Sequence, residues 1–291
     1  MKRRGLKKQG LKKPRLFPVF IGLVLALMYI PILLVIVYSF NQSRLSSVWS
    51  GFTLNWYVEL FRDRAMFEAL RNSLVLAILS SLAAAVLGTL GAFGSSGGGS
   101  KPRSRFAAGR VMEYLSILPI MIPEIILGMV FLAFFAFLGL PFGMFTLVIA
   151  HTAFCVPYPF LLVKARLAGL DKSYAEAARD LGAGGMRAFY DITLPAILPA
   201  VVSGMLISFA MSFDDVIISV FVTGVHTNTL PIRIYSQLKT GVSPKTNALC
   251  TLLFIATMVL ALTAAYLSRR KTEGLPGQHL KDPSSGEKGW G

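Results

Sequence analysis

The chain has 291 residues, of which 54% are apolar and 15% are charged, and its mean hydropathy is +0.63. Soluble domains carry about 25% charged residues, and disordered chains are far less apolar, so the composition excludes both classes. The net charge of +15 does not indicate nucleic-acid binding, because nucleic-acid-binding proteins with so high a charge are not this apolar. The composition is that of an integral membrane protein.

Long stretches without a charged residue mark the membrane spans. Runs of 28, 29, 39, 22 and 23 such residues end before Arg44, Lys101, Lys164, Asp214 and Arg269. A span needs about 20 apolar residues, so the longest run must fold back, and Gly-Leu-Pro at 139–141 is the predicted break. The sequence therefore predicts an all-α integral membrane protein with six transmembrane helices, at 17–40, 69–93, 113–138, 142–163, 196–221 and 246–268.

The distribution of Lys and Arg predicts the orientation. The tail at 1–16, the loops at 94–111 and 164–195 and the segment after 268 together hold 22 of them, against six on the other side. Basic residues accumulate on the cytoplasmic side, so both termini are expected there. An anionic-lipid site in the basic tail is the alternative reading of that segment. The first span, 17–40, is expected to stay uncleaved, because its apolar run is too long for a signal peptide and no cleavage site follows it.

Two segments are predicted not to form packed structure. Gly94 to Ser100 reads as a flexible cytoplasmic linker, natural or engineered, and the polar tail 272–291 is predicted to be disordered. The sequence also contains no Walker motif and no glycine-rich phosphate loop. An energy source other than an ion gradient must therefore come from another polypeptide, and no cofactor is expected on this chain.

The longest predicted cytoplasmic loop, with its informative part at 171–195, carries the main functional signal. Ser173 followed by Glu176 is a capping-box pattern, which predicts a helix that starts at Tyr174. Gly182 is predicted to end that helix after about two turns. A second short helix is expected through 186–190, before Leu194-Pro195 begins the fifth span. The first helix would present a small-residue face outside the membrane, which another protein could approach closely.

This loop has a specific spacing of residues: Glu176-Ala177-Ala178, three residues, Gly182, nine residues, then Ile192-x-Leu194-Pro195. The spacing resembles, at every position, the EAA signature of ABC importer permeases. The resemblance implies a type I ABC importer permease fold with a permease core of five helices at 69–268. It also implies that the loop forms a coupling helix that docks on a cytoplasmic ATPase subunit. From the residues alone, Glu176 could instead only cap a surface helix.

Three further stretches narrow the expected substrate. They are Met121 to Gly128, Ser212 to Ser219 and Thr227 to Tyr235, and they resemble the spermidine/putrescine permeases. The resemblance implies a polyamine as substrate. Permeases for ferric iron, opines and other cations share fragments of these motifs, so another small cationic or metal substrate stays open.

Three acids lie inside or at the edges of apolar spans: Glu124, Asp214 and Asp215. A carboxylate there costs several kcal/mol unless it is paired or hydrated, so such residues face a cavity or the bundle interior. Polyamines carry spaced ammonium groups, whose natural partners are carboxylates. We therefore expect the three acids to line the substrate path as successive stations. The alternative is that they cap helix ends or pair with Arg233 or a partner's basic side chain.

His151, in the fourth span, is expected to be a hydrogen-bonded core histidine, because no second ligand stands at metal spacing; a metal site or proton relay is the alternative. Cys155 and Cys250 show no disulfide or zinc pattern. The sequence shows no inverted repeat of a gradient-driven transporter and no motif of an intramembrane enzyme. We thus expect a transporter subunit, not an enzyme, and no metal site.

The resemblance to ABC importers also implies partners and a location. It implies a cytoplasmic ABC ATPase dimer that uses ATP and magnesium, a second permease chain and an extracytoplasmic substrate-binding protein. The expected location is the bacterial inner membrane, where the subunit would act by alternating access on a substrate that is a small cation.

Overall fold

The computed structural model describes residues 16–43, 48–96, 103–171, 173, 178, 180, 182–225, 227–241 and 243–273. Within these residues the named elements are all helical. They are α1 (Leu16–Tyr38), α2 (Asn55–Arg62), α3 (Arg64–Ser95), α4 (Arg103–Met121), α5 (Glu124–Phe137), α6 (Met144–Cys155), α7 (Pro157–Ala168), α8 (Gly185–Ala188), a π-helical turn (Phe189–Thr193), α9 (Leu194–Asp214), α10 (Ile217–Val222), α11 (Leu230–Thr240) and α12 (Pro244–Glu273).

Four of the predicted spans are matched by helices long and apolar enough to cross a membrane. Among the described residues these helices cover Pro18–Tyr38, Arg64–Ser95, Met144–Ala168 and Phe189–Asp214. The last predicted span falls within α12, whose shorter apolar part is Pro244–Val259. The predicted break at 139–141 is confirmed, since α5 ends at Phe137 and Gly139 adopts a left-handed φ of +65°.

Two predicted spans are not continuous helices. The third, 113–138, consists of α4 and α5, which are bent by 110° at Ile122 and Pro123. Proline has no N–H to donate and disfavours a helical residue before it, so the chain turns there. The fifth, 196–221, breaks at Asp215, whose ψ of 127° is extended, and α10 follows as a separate short helix. Glu124 and Asp215 each lie at one of these breaks.

The chain divides into two compact units, residues 1–60 with 242–291, and residues 61–241. In the first unit, α1 packs against α12. The segment after α1 is organised by the buried Asn41, whose amide nitrogen donates to Val48 O at 2.7 Å and whose carbonyl oxygen accepts from Ser50 N at 3.0 Å. The indole of Trp56 donates to Asn41 O at 2.6 Å.

The second unit is built around α3, which packs against α6, α7 and α9. The buried face of α3 consists mostly of small residues, among them Ser73, Ala77, Ser80, Ala84 and Gly88. Small residues let helix backbones approach closely in a membrane, where helix association depends on packing. A Cβ at Gly88 would lie 2.8 Å from the backbone nitrogen of Phe160 in α7, so only glycine fits there.

Candidate substrate site and coupling loop

Three helix ends meet at the acidic residues of the second unit. Glu124 is the first residue of α5, Asp214 is the last residue of α9, and Asp215 precedes α10. Helices α5 and α10 pack against each other, and a Cβ at Gly128 of α5 would lie only 2.6 Å from the ring of Phe221 in α10. The two breaks therefore bring together acids that are 90 residues apart in the sequence.

Asp215 is the buried member of this acidic cluster, with 1% of its side chain exposed. Its Oδ1 accepts from the backbone N–H of Ile218 at 3.2 Å, and its Oδ2 accepts from that of Ser219 at 2.8 Å. The carboxylate thus caps the first turn of α10, where the unpaired N–H groups and the helix dipole favour a negative charge. The alternative reading of this acid as a helix cap agrees with its geometry.

His151 forms the other side of a buried polar network. Its Nε2 lies 3.3 Å from Oδ2 of Asp215 and 3.0 Å from Oγ of Ser219, and its Nδ1 lies 2.9 Å from Oγ of Ser212. Ser212 in turn lies 2.8 Å from Oγ of Ser80 on α3. The prediction of a hydrogen-bonded core histidine is confirmed. Among the described residues, no group of three or more His, Cys, Asp or Glu could hold a metal ion.

Glu124 and Asp214 are the more accessible acids. Glu124 is half-buried beside the carboxyl group of Asp215 and interacts electrostatically with Asp214 as well. Asp214 is exposed at the C-terminal end of α9. The bend at Pro123 brings Glu124 against Asp215 and within electrostatic range of Asp214, so the three acids lie in one cluster. Their role as stations along the substrate path stays a prediction. Arg233, named as an alternative partner, instead lies 3.9 Å from Oδ1 of Asp63.

Several contributors to this site have no clear signal in the sequence. Ser80 is 132 positions from Ser212, its hydrogen-bond partner, so no local pattern connects them. Tyr158 on α7 lies within electrostatic range of Glu124, and it too was not expected. Ser212 and Ser219 are the first and last residues of one of the three stretches that resemble the spermidine/putrescine permeases. Their contacts with His151, however, depend on how α6, α9 and α10 pack.

The coupling loop is described in part. Glu176 and Ala177 lie outside the described residues, whereas Ser173, Ala178 and Asp180 are helical. Ser173, which the sequence places just before the helix, is itself helical, and its backbone N–H donates to the carboxylate of Asp171 at 3.0 Å. This hydrogen bond and the hydroxyl of Ser173 lower the pKa of Asp171. Ala178 is buried within this chain.

The predicted helix end at Gly182 is confirmed. Gly182 has a left-handed φ of +84°, and the N–H of Ala183 donates to Ala178 O at 2.9 Å. In a Schellman motif, the residue after a left-handed glycine donates its N–H to the carbonyl group five residues earlier. This hydrogen bond satisfies one of the last carbonyl groups of the helix. Glycine adopts this backbone without the steric penalty that a Cβ imposes.

The end of the coupling loop continues directly into α9 through the π-helical turn. Ile192 and Leu194 are half-buried there, and Pro195 occupies the first turn of α9 as expected. The ring of Phe189 lies 4.5 Å from that of Phe93 at the end of α3. The Nε of Arg166 on α7 donates to Ala196 O at 3.1 Å. The π-helical turn therefore contacts the end of α3, and the start of α9 is bonded to α7.

The family is shown by comparison with known proteins. Residues 91–272 match the family of binding-protein-dependent transport system inner membrane components. The chain belongs to this family, and it is a permease subunit of an ABC importer rather than the subunit that hydrolyses ATP. The expected class and the all-α membrane fold are thereby confirmed.

Individual relatives agree over most of the chain. The spermidine/putrescine transport system permease protein PotC of Escherichia coli strain K12 is 37% identical over 89% of this chain and 96% of its own length. The putrescine transport system permease protein PotI of the same strain is 38% identical over 90% of this chain and 92% of its own length. PotC of Haemophilus influenzae is 37% identical over 86% of this chain and 95% of its own.

Solved structures show the same fold at low sequence identity. A bacterial alginate ABC transporter in complex with its pentasaccharide-bound periplasmic protein superposes with a TM-score of 0.67 and 17% identity, covering 88% of this chain and 94% of that one. The MetNI methionine transporter in an inward-facing conformation gives a TM-score of 0.57 and 18% identity, covering 76% of this chain and 99% of that one.

Proposed function

We propose that this permease subunit imports polyamines, and that the acidic cluster of Glu124, Asp214 and Asp215 forms the site that attracts their ammonium groups. The observation that carries the proposal is the convergence of three carboxyl groups at broken helices in a chain whose relatives are named for spermidine and putrescine transport. Ammonium groups are strongly attracted to carboxylates where water is scarce. The cluster therefore suits a substrate with several positive charges.

The backbone around the cluster supports a cation as well. Asp214 ends α9, and the last carbonyl groups of a helix have no partners within the helix and carry a partial negative charge. Transport proteins frequently bind substrates and ions at interrupted membrane helices, where such backbone groups face a cavity. A cation at Asp214 would thus interact with the side chain and with the helix end.

The partners follow from the family and the coupling loop. We propose a second permease chain, an ATPase dimer that docks on Glu176, Ala177, Ala178, Gly182, Ile192, Leu194 and Pro195, and an extracytoplasmic binding protein that delivers substrate. ATP binding would close the ATPase dimer, and the loop would transmit that movement to α9 and α3. Glu176→Lys and Gly182→Arg should each prevent ATPase co-purification while membrane insertion continues. Normal assembly and normal uptake in both variants would contradict this docking site.

The proposed orientation has both termini in the cytoplasm. It rests on the excess of Lys and Arg in the N-terminal tail and in the loops that contain the coupling residues. Reporter fusions after Ser46 and after Arg187 should then report opposite sides of the membrane. Fusions that report the same side would overturn the six-span topology.

The substrate assignment is tested with variants that remove charge and keep shape. Glu124→Gln and Asp214→Asn should each raise the KM for spermidine or putrescine uptake by at least about tenfold, because tenfold corresponds to about 1.4 kcal/mol and one charge pair can contribute more than that. Uptake and substrate-stimulated ATP hydrolysis are measured on the complete complex in liposomes. Glu68→Gln is the matched control, since Glu68 is an exposed acid at the start of α3. Parental KM values in both cluster variants would show that the acids do not receive the substrate.

A further inference from the structure

The three carboxylates of the cluster differ in how many hydrogen bonds they accept from other groups of the protein. Asp215 accepts from two backbone N–H groups and lies 3.3 Å from Nε2 of His151, with almost none of its side chain exposed. Asp214 is exposed, and Glu124 is half-buried. A carboxylate has only about four lone-pair positions. Asp215 therefore has little remaining capacity for an ammonium group. Asp214 is available at the surface, and Glu124, whose carboxyl group also contacts that of Asp215, is partly accessible.

His151 connects Asp215 to the rest of the second unit. The histidine is fully buried on α6 and contacts Ser212 at the end of α9 and Ser219 in the first turn of α10. Ser212 contacts Ser80, whose hydroxyl donates to Leu76 O on α3 at 2.7 Å. One imidazole thus joins the two helices on either side of the break at Asp215 and fixes them, through Ser80, to the central helix.

We infer that His151 is a positioning residue that holds Asp215 in place as the cap of α10, so that Glu124 and Asp214 are the carboxylates that bind substrate. This inference rests on the proposed function and assigns different roles within the cluster. The imidazole does not touch the substrate. It fixes the angle between α9 and α10, and α10 packs against α5, which begins with Glu124. The distance between the two substrate-binding acids therefore depends on His151.

The roles within the cluster predict an order of effects. Asp215→Asn retains an oxygen that can cap α10, since Asn is as good a cap as Asp. It should raise the KM for spermidine less than Asp214→Asn does. Asp215→Ala removes the cap and should lower the melting temperature of the complex as well. If Asp215→Asn raised the KM as much as Asp214→Asn does, Asp215 would be a direct ligand and the inference would be wrong.

Two substitutions of His151 separate positioning from packing. His151→Leu fills the space but donates no hydrogen bond, whereas the amide of His151→Gln can still donate to Asp215. We expect His151→Leu to raise the KM by about fivefold, the effect of one lost hydrogen bond, and His151→Gln to restore most of the parental value. Simple core packing predicts the opposite order, because an apolar side chain would then be tolerated best. That opposite order, or equal KM values in both variants, would overturn the inference.

A second variant keeps the test decisive if His151→Leu does not assemble. Ser219→Ala removes one contact of the imidazole and the hydroxyl's hydrogen bond to Asp215, and it should give a smaller rise in KM than His151→Leu. The same change at the exposed Ser203 should give none. A parental KM in Ser219→Ala would then count against positioning. The outcomes also separate the two proposals. Parental KM values in Glu124→Gln and Asp214→Asn contradict the polyamine site, whereas a shift there without one in the His151 and Ser219 variants contradicts only the role of His151.

Discussion

The two ends of α9 are held in different ways. At its C-terminal end, Ser212, Asp215 and His151 form a buried network in which side chains replace the hydrogen bonds that the helix break removes. At its N-terminal end, the rings of Phe189 and Phe93 are in contact, and Arg166 donates to a carbonyl. The fully buried Ile197 also packs there in an apolar cluster with α3 and α7. The first end is thus held by buried polar groups, and the second mainly by apolar packing, part of it between partly exposed residues.

The difference follows from what each end has to do. A charge that stays in an apolar region needs several partners in a fixed geometry, because each missing partner costs free energy. A surface that docks on another protein needs instead a shape that fits and few internal constraints. We therefore expect substitutions at the network to act mainly on substrate affinity and stability, and substitutions at the loop to act mainly on coupling to ATP hydrolysis.

The largest expected effect comes from the packing that joins the two ends. A Cβ at Gly204, in the middle of α9, would lie 2.4 Å from Cα of Pro159 in α7. Because that atom is backbone, Gly204→Ala must push the two helices apart, and we expect a loss of about 3 kcal/mol of stability. The melting temperature of the purified complex measures it. In the control Gly22→Ala, the added Cβ meets nothing within 4 Å, and stability should not fall.

The second effect tests the C-terminal end of α9 alone. Ser212→Ala leaves the buried Nδ1 of His151 and the hydroxyl of Ser80 without this partner, which should cost about 2 kcal/mol. Ser203→Ala is the matched control on the same helix, because Ser203 is exposed and its hydroxyl donates only to Pro199 O. Equal melting temperatures for the two variants would mean that the network does not stabilise the break.

The sequence predicted the class of fold because charge-free runs and glycine or proline breaks are local signals. The turn at 139–141, the helix end at Gly182 and the start of α9 at Pro195 all belong to this kind. The 110° bend between α4 and α5 was harder, since hydropathy does not distinguish a straight span from a bent one. Pro119, Pro123 and Glu124 were visible, but their effect on direction depends on what packs against α5.

The sequence shows that the three acids are unusual for apolar spans, but it does not predict how they are arranged. A continuous helix through 196–221 would point Asp214 and Asp215 to different sides and separate them from Glu124. At the break, the side chain of Asp215 satisfies N–H groups of the next helix, and its contact with His151 depends on how α6 packs against α9 and α10. Such a long-range condition cannot be read from one sequence without the packing.

The third effect concerns the N-terminal end of α9. Phe189→Ala removes the ring contact with Phe93, which should weaken the attachment of the loop by about 1 kcal/mol. We expect more ATP to be hydrolysed per substrate transported, with little change in substrate KM. A double-mutant cycle with Phe93→Ala measures the interaction, and Phe137→Ala, a ring that is 87% exposed, is the control. Additive effects of the two substitutions would show that this contact does not transmit the movement.

The smallest effect tests how the coupling helix ends. Gly182 has space around it, so the only penalty of Gly182→Ala is its left-handed backbone, about 1 kcal/mol. If the ATPase binds only the form in which the helix ends at residue 182, this energy lowers the affinity of the ATPase for the permease by about fivefold. Gly182→Asn should lose less, because Asn adopts this backbone more readily. Gly184→Ala, with equal space and no left-handed φ, should bind normally. Equal affinities in all three variants would mean that docking does not depend on the helix end.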